Sequence, residues 1–246
     1  MAKKIFLSVV VPAYNEQTRI AATLLDIDRH LKVKGIDYEI IVALSPSEDQ
    51  TRELLMRLKP GIEKMKVLEL KKNRGKGAAI KAGVQVAKGG WLLYMDADNS
   101  TSIVEFGKMQ PHMSEYEFII ASRFLKNSII DQQETPLRRI FGWAGRVLAK
   151  LSLGLKASDP QCGFKLLSIE LAQRLSRLSI LDGWLFDSEL LYLAKKMGYS
   201  VKEVPVHWSH SRDSHVSTSS YWSSLKELKT LKSARYDLPT HFTRPN

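Results

Sequence analysis

The sequence predicts an α/β protein with a mainly parallel sheet flanked by helices, for three reasons. Apolar runs suited to buried strands alternate with segments whose apolar residues recur at helical spacing. The composition is globular, with 44% hydrophobic and 26% charged residues. The 246 residues are enough for a sizeable core. Such alternation implies right-handed crossovers between parallel strands, and ligands then bind beyond the carboxyl ends of the strands.

The first half of the chain supplies the regular part of this alternation. Its first apolar run is continuous and β-branched, as expected of a strand buried on both faces of a parallel sheet. Strands are predicted over residues 5–11, 38–42, 67–70 and 91–95. Helices are predicted over residues 20–31, 49–58 and 77–87. The loops that follow these strands are therefore the predicted location of a ligand site.

The second half is less regular and carries two basic amphipathic segments, residues 136–156 and 221–236. The first places its apolar side chains on one helical stripe and contains basic residues but no acid. A helix over 187–196 and a strand over 201–206 are also predicted. We expect one domain over residues 1–236, with halves 1–125 and 126–236. The expected flexible tail is residues 237–246.

The net charge is the unusual feature of the composition. Lys and Arg number 37 against 26 acids, a formal net charge of +11, which favours an anionic partner: nucleic acid, a phosphorylated metabolite or an acidic membrane surface. The single cysteine, Cys162, excludes an internal disulfide framework and a Cys-rich zinc site. No stretch approaches the roughly 18–20 apolar residues that span a bilayer, and the N-terminal run is interpreted as a strand, so a cytoplasmic protein is expected.

Two carboxylates follow the predicted strand 91–95. In extended backbone, side chains two apart point the same way, so Asp96 and Asp98 are placed to share a hard divalent cation that also contacts substrate phosphates. A turn without metal is the alternative, because Asp often ends strands.

The loop 73–79 joins a strand to a helix with two glycines and two cations. Amides at a helix N-terminus bind anions, but the loop matches neither a Walker A motif nor a dinucleotide fingerprint, and a basic surface loop is the alternative. Cys162 has no local base and is interpreted as structural.

Taken together, these segments resemble the family 2 glycosyltransferases of GT-A fold. The resemblance covers about residues 5–236, and it is nearest to the polyprenyl-phosphate branch, the dolichyl-phosphate glucosyltransferases more than the mannosyltransferases. The segments in the N-terminal half are shared with many glycosyltransferases, whereas QCGFK and W-x-F-D-x-E are more specific. The matching segments are 8–16, 73–77, 96–98, 121–124, 159–165, 184–190 and 203–208.

The resemblance implies inverting, metal-dependent transfer of a sugar from a UDP- or GDP-linked nucleotide sugar to a polyprenyl or dolichyl phosphate, with glucose from UDP-glucose as the first expectation. Mg²⁺ or Mn²⁺ would be bound by Asp96 and Asp98, with Ser100 as a further ligand, and Arg123 would complete the catalytic set near the phosphates. The implied nucleotide-binding residues are Pro12, Tyr14, Glu16, Ser45, Lys76 and Asp96. The implied residues for acceptor and phosphate are Arg139, Arg212 and Ser214. The resemblance thus assigns nucleotide sugar and metal to the half 1–125 and the acceptor to the half 126–236.

The chain departs from the family pattern at two places. Leu44 and Ser45 stand where relatives carry two adjacent acids. In many relatives one of these acids recognises the base of the donor nucleotide, so the sequence leaves open which base the donor carries. In the loop that closes over the donor, His215 stands where relatives carry a lysine. If it replaces that lysine, its contribution should depend on pH near neutrality. Asp187 and Glu189 are spare carboxylates for which a structural or orienting role is favoured.

Several alternatives follow from these departures and from the charge. The donor could be GDP-mannose, the acceptor a glycan or a diacylglycerol, or the protein a catalytically weak nucleotide-sugar-binding relative. Nucleic acid is disfavoured, because the sequence carries no recognisable binding motif and the charge is interleaved with predicted core helices. The two basic segments would either lie on an anionic membrane, making the protein peripheral on its cytoplasmic face, or pack on the sheet with a solvated basic face.

Overall fold

The computed structural model describes residues 5–131, 147, 150–209 and 218–236, the side chains of 218–225 excepted. The strands are β1 (Leu7–Ala13), β2 (Tyr38–Leu44), β3 (Met65–Glu69), β4 (Trp91–Met95), β5 (Phe118–Ser122), β6 (Ile129–Ile130), β7 (Phe164–Ser168), β8 (Val201–Pro205) and β9 (His207–Trp208). The helices are Ile20–Val33, Thr51–Leu58, Lys76–Val86, Phe106–Met109, Ile169–Leu178, Phe186–Lys196 and Thr218–Ser233, with short 3₁₀ turns at Lys59–Gly61, Ile103–Glu105 and Gln110–His112.

Seven strands form one sheet in the order β3-β2-β1-β4-β7-β5-β8. β1 pairs in parallel with β2 and β4, β2 with β3, and β5 with β8. β7 runs antiparallel between β4 and β5. The predicted mainly parallel sheet is therefore confirmed, whereas β5 and β7 are strands that the sequence pattern did not predict. β6 and β9 pair in parallel as a separate two-stranded sheet.

The core consists of two apolar clusters, one on each face of the sheet. Val9 and Val11 of β1 pack in one cluster and Val10 packs in the other, and all three are fully buried. The helix Lys76–Val86 lies so close to β1 that a Cβ at Gly83 would overlap the side chain of Val10. Burial on both faces explains why the first strand is a continuous apolar run.

The helix Ile20–Val33 buries the apolar residues that recur at helical spacing in its sequence. Its residues at helical spacing, Ile20, Leu24, Ile27 and Leu31, are all fully buried. They bury the stripe that the sequence places on one face of the helix, and this packing supplies most of the stability of such a helix.

The C-terminal helix Thr218–Ser233 packs against the protein through Leu228 and Leu231, which are buried in the second cluster. Lys226, Lys229 and Lys232 are exposed on its other side. Among the described residues, no helix combines the length and the apolar character that crossing a bilayer requires. The predicted helix 136–156 is described only at 147 and 150–156, where 150–153 are helical, and the predicted tail 237–246 lies outside the described residues.

Candidate active site

A cavity of about 430 Å³ opens beyond the carboxyl ends of β1, β2 and β4. This is the position that the strand order of an open parallel sheet predicts for a ligand. Nine of the residues that the sequence assigns to a site line it: Pro12, Tyr14, Glu16, Ser45, Lys76, Asp96, Asp98, Ser100 and Arg123. Three others, Arg139, Arg212 and Ser214, lie outside the described residues, as does His215, and their roles stay predictions.

The loop after β1 is held to the loop after β2 by side-chain hydrogen bonds. Asn15 has a positive φ of 54°, and its Oδ1 accepts from the Glu48 amide at 2.9 Å. The Glu16 amide donates to Thr51 Oγ1 at 2.7 Å, and the Ser45 amide donates to the Ala13 carbonyl at 2.9 Å. Ser45 therefore reaches the cavity wall. Leu44, which stands where relatives carry the other acid, is buried in the core.

Glu16 is a largely buried carboxyl group at the cavity wall. Burial raises its pKa to about 7, Arg19 opposes this through an ion pair of 2.6 Å, and the charges of Asp98 and Asp96 add to the rise. The carboxyl groups of Glu16, Asp96 and Asp98 thus lie close enough on the cavity wall to influence one another's ionisation.

Asp96 and Asp98 lie in the turn that ends β4. The Ala97 carbonyl accepts from Thr23 Oγ1 at 2.6 Å, and Asp98 Oδ1 accepts from the Ser100 amide at 3.0 Å. Asn99 completes the turn with a φ of 54°. Burial raises the pKa of Asp96; Lys76 opposes that rise and the Asp98 carboxylate adds to it.

Lys76 joins this acid pair to the predicted anion-binding loop. Gly75, with a φ of 113°, turns the chain into the helix that begins at Lys76. The Lys76 ammonium lies 2.6 Å from Asp96 Oδ1 and 3.4 Å from Asp187 Oδ2. Burial alone would lower its pKa, but the carboxylates of Asp187 and Asp96 raise it overall, so Lys76 is held as a cation at the cavity wall.

Behind Lys76 lies a buried polar cluster that the sequence did not predict. Asp187 Oδ1 accepts from Lys165 Nζ at 2.8 Å and from the Tyr94 hydroxyl at 2.7 Å. Lys165 also donates to the Cys162 carbonyl and is fully buried. Charges thus alternate from Asp96 through Lys76 and Asp187 to Lys165. The sequence feature that could have indicated this cluster is Lys165, a lysine within the otherwise mostly apolar strand β7.

Arg123 is anchored by a carboxylate from another segment. Asp159 accepts from its Nε at 2.7 Å and its Nη2 at 2.9 Å, and also from its amide at 3.1 Å. Burial would raise the pKa of Asp159, but Arg123 lowers it overall. Glu203 in β8 in turn accepts from the amides of Ser158 and Asp159. The guanidinium lies 5.4 Å from the ring of Trp208, which also lines the cavity.

Cys162 and Gly163 bring the β7 segment against the acid pair. Burial raises the pKa of the Cys162 thiol to about 12, so the side chain is a buried thiol and not a nucleophile. A Cβ at Gly163 would overlap the carboxylate of Asp96. Gly163 is thus a shape-determining residue of the site that sequence reasoning did not single out.

The residues present fit a hard divalent cation. Asp96 and Asp98 offer oxygen donors on the cavity wall, which is the chemistry that Mg²⁺ and Mn²⁺ prefer. Within the described part of the chain, no group of three or more His, Cys, Asp or Glu residues could bind a metal. A metal at Asp96 and Asp98 would need further ligands, and Ser100, which the resemblance implies as one, also lines the cavity.

The sheet order and the acid pair after β4 define a GT-A-type glycosyltransferase fold. Mannosyl-3-phosphoglycerate synthase from Rubrobacter xylanophilus superposes with a TM-score of 0.69 at 16% identity, covering 92% of this chain and 73% of that one. Glucosyl-3-phosphoglycerate synthase from Mycobacterium tuberculosis in complex with phosphoglyceric acid gives a TM-score of 0.71 at 19% identity, covering 94% and 81%. At these identities the likeness establishes the fold.

Sequence comparison places the chain more narrowly. The model described as Glycosyl transferase family 2 matches residues 8–176. A dolichyl-phosphate beta-glucosyltransferase from Dictyostelium discoideum is 33% identical, over 94% of this chain and 74% of the relative. Proteins of that name from Drosophila melanogaster and Mus musculus are 34% and 32% identical, over 89% and 92% of this chain and 71% and 73% of each relative. The chain belongs to glycosyl transferase family 2 and is a glycosyltransferase.

Proposed function

We propose that the protein transfers glucose from UDP-glucose to a polyprenyl phosphate of the dolichyl phosphate type, with inversion at the anomeric carbon. The observation that carries this proposal is the cavity in which an acid pair and two cations converge at the carboxyl ends of the strands. The names of the relatives supply the sugar and the acceptor. A structural neighbour in complex with UDP-glucose and Mn²⁺ supports the donor and the metal.

The chemistry needs no general base. A phosphate monoester has its second pKa near 6, so the acceptor is already anionic at neutral pH. A phosphate oxygen forms the new bond to the anomeric carbon while the bond from that carbon to the UDP oxygen breaks, and UDP leaves with the electron pair. The protein has to align the two substrates and neutralise the leaving diphosphate.

The described residues divide this work. Lys76 and Arg123 supply positive charge at the wall, and Asp187 and Asp159 hold them in place. Mg²⁺ or Mn²⁺ bound at Asp96 and Asp98 would add Lewis-acid stabilisation of the diphosphate.

Asp187 and Glu189, the two spare carboxylates, are both buried and hydrogen-bonded to other side chains of the protein. Asp187 is 2% exposed and accepts from Lys165 and Tyr94. Glu189 is fully buried and accepts from Ser179 Oγ at 2.5 Å. Neither is needed as a base.

The basic face of the C-terminal helix is proposed to contact an anionic membrane that holds the acceptor. Lys226, Lys229 and Lys232 are exposed there, while Leu228 and Leu231 are used in packing. Contact through the described part of this helix would be electrostatic adsorption, without insertion of its buried leucines. The protein would then act as a peripheral enzyme on the cytoplasmic face.

The test is a transfer assay with radiolabelled UDP-glucose and dolichyl phosphate, with GDP-mannose as the competing donor. Asp98→Asn should lower transfer at least about a hundredfold, because the metal contributes several kcal/mol. It should also weaken Mn²⁺ binding measured by electron paramagnetic resonance.

The matched control is Asp37→Asn, the same chemical change at the amino end of the sheet, where the carboxylate pairs with Lys64. It should leave both readouts near wild type. Full transfer by the Asp98 variant, or labelling from GDP-mannose alone, would contradict the proposal.

A further inference from the structure

The loop 179–185 lies between the candidate active site and the C-terminal helix. It joins the helices Ile169–Leu178 and Phe186–Lys196 and has no regular structure of its own. Its residue Trp184 lines the cavity, with the Lys76 ammonium 5.9 Å from the ring centroid. The position of this loop therefore shapes one wall of the site.

On the cavity side, Asp182 attaches the loop to the start of the helix Lys76–Val86. Its carbonyl accepts from the Ala78 amide at 3.1 Å, and its carboxylate pairs with Lys81 at 2.7 Å and with Arg74 at 2.5 Å. A Cβ at Gly75 would lie 2.6 Å from the Asp182 carbonyl oxygen. The loop is thus in direct contact with the segment that presents Lys76.

On the other side, the loop is held by Glu227 of the C-terminal helix. Glu227 Oε2 accepts from the Leu185 amide at 2.9 Å, and the Gly183 amide also hydrogen-bonds to Glu227. Leu185 is 3% exposed, so its buried amide requires an acceptor from the protein. A Cβ at Gly183 would overlap Oε1 of Glu227, so the glycine is what lets the carboxylate approach.

A second carboxylate supports the beginning of the same loop. Glu189 accepts from the amides of Ile180 at 2.8 Å and Leu181 at 3.1 Å. It also accepts from the hydroxyl of Tyr236, three residues beyond the C-terminal helix, at 2.6 Å. The C-terminal segment therefore contacts the loop network at both ends.

We propose that Glu227 is a positioning residue for the donor site. Through the amides of Gly183 and Leu185 it holds Trp184 at the cavity wall and keeps Asp182 against the segment that carries Lys76. The C-terminal helix is thereby part of the architecture of the active site, although its described side chains do not line the cavity. This inference rests on the proposed function only for the identity of the donor.

The test compares Glu227→Ala with Glu227→Gln and Gly183→Ala. In the alanine variant the KM for UDP-glucose should rise about tenfold, the scale of one lost hydrogen bond to a charged group, with a smaller change in kcat. Gly183→Ala should have the same effect because its methyl group displaces the carboxylate. Glu227→Gln keeps an acceptor oxygen and should restore most of the affinity.

Acrylamide quenching of tryptophan fluorescence provides the second readout. Subtracting the signal of the Trp184→Phe protein isolates Trp184, which should become more accessible in Glu227→Ala and remain as in wild type in Glu227→Gln. Thr230→Ala, on the exposed face of the same helix, is the control and should change neither KM nor quenching.

Wild-type KM and wild-type quenching in Glu227→Ala would overturn the inference, as would equal losses in the Thr230 control. If the wild-type protein transferred no glucose, the proposed function would fail, whereas the quenching comparison would still decide whether Glu227 positions the loop.

Discussion

At the scale of single residues, charges of alternating sign extend from the cavity wall into the core. Lys76 contacts Asp96 on the cavity side and Asp187 behind it, and Asp187 contacts the fully buried Lys165. A buried ammonium is tolerated only when it is paired and hydrogen-bonded. The cluster therefore couples the stability of the core to the position of Lys76.

This coupling predicts the effect of removing one charge from the cluster. Asp187→Asn should lower the free energy of unfolding by about 3–5 kcal/mol, because it leaves Lys165 buried without its carboxylate. Adding Lys165→Met should recover a large part of that loss, since the two sites interact directly. Urea titrations of both variants measure this, and a loss below about 1 kcal/mol in the single variant would contradict it.

At the residue scale, the sequence indicates the location of a side chain where the signal is local. Asp96 and Asp98 directly follow an apolar strand, and both line the cavity. The partners of the two cations were not predicted, because Asp159 is 36 residues from Arg123 and Asp187 lies still farther from Lys76. Such pairs form only when the fold brings distant segments together, and the spacing of residues along the sequence does not show which segments will be neighbours.

At the scale of elements, local pattern predicted the strands β1 to β4 and β8, and it missed β5 and the antiparallel β7. β1, β2 and β4 are mostly apolar, with one polar residue near the start of β1 (Ser8) and one near the start of β2 (Glu39), and nearly all of their residues are buried. β7 carries Lys165 at its second position and ends at Ser168, so only two consecutive apolar residues follow the lysine, yet all five residues of the strand are buried. Its place between β4 and β5 is set by pairing with strands distant in the chain.

The pairing of β1 with β2 is reinforced by a buried carboxylate at Glu39. It accepts from Ser8 Oγ at 2.7 Å, Lys66 Nζ at 2.6 Å and the Lys88 amide at 2.6 Å. Burial alone would raise the pKa of Glu39, but these three hydrogen bonds lower it overall from its ordinary value of 4.5. The folded state thus favours the ionised form more than the unfolded state does.

The sign of the pH dependence follows from this shift. Because the pKa of Glu39 is lower in the folded state, its contribution to stability is complete above the ordinary value of 4.5 and is lost as the pH falls through the folded value. Urea unfolding between pH 7 and pH 3 should therefore show a shallower decline in Glu39→Gln than in wild type. Glu63→Gln, at an exposed position, is the control, and identical slopes in all three proteins would contradict the prediction.

At the scale of the whole molecule, the net charge of +11 has separate structural uses. Lys76 and Arg123 lie at the cavity and Lys165 is buried, so these cations are committed to the site and its support. The exposed lysines of the C-terminal helix form a basic face turned away from the core. A face of this kind favours adsorption to an anionic membrane, where the proposed polyprenyl phosphate acceptor would be found.

Vesicle flotation tests this use of the charge. Each lysine near an anionic surface contributes about 1 kcal/mol, so replacing Lys226, Lys229 and Lys232 by Gln should weaken partitioning to phosphatidylserine vesicles by up to about a hundredfold. Wild-type protein should release as salt rises and should not bind vesicles of pure phosphatidylcholine. Absence of binding to anionic vesicles at low salt would exclude the membrane role.

The sequence by itself determined the α/β class, the core face of the helix Ile20–Val33 and the place of the acid pair at the end of β4, because these depend on periodicity and on neighbours in the chain. Only the tertiary structure decided which carboxylates hold Lys76 and Arg123, that β7 runs antiparallel beside β4, and that Glu227 contacts the loop of Trp184. Those features depend on contacts between distant segments. They form when burial of apolar surface brings the segments together, and each buried polar group must then find a partner within reach.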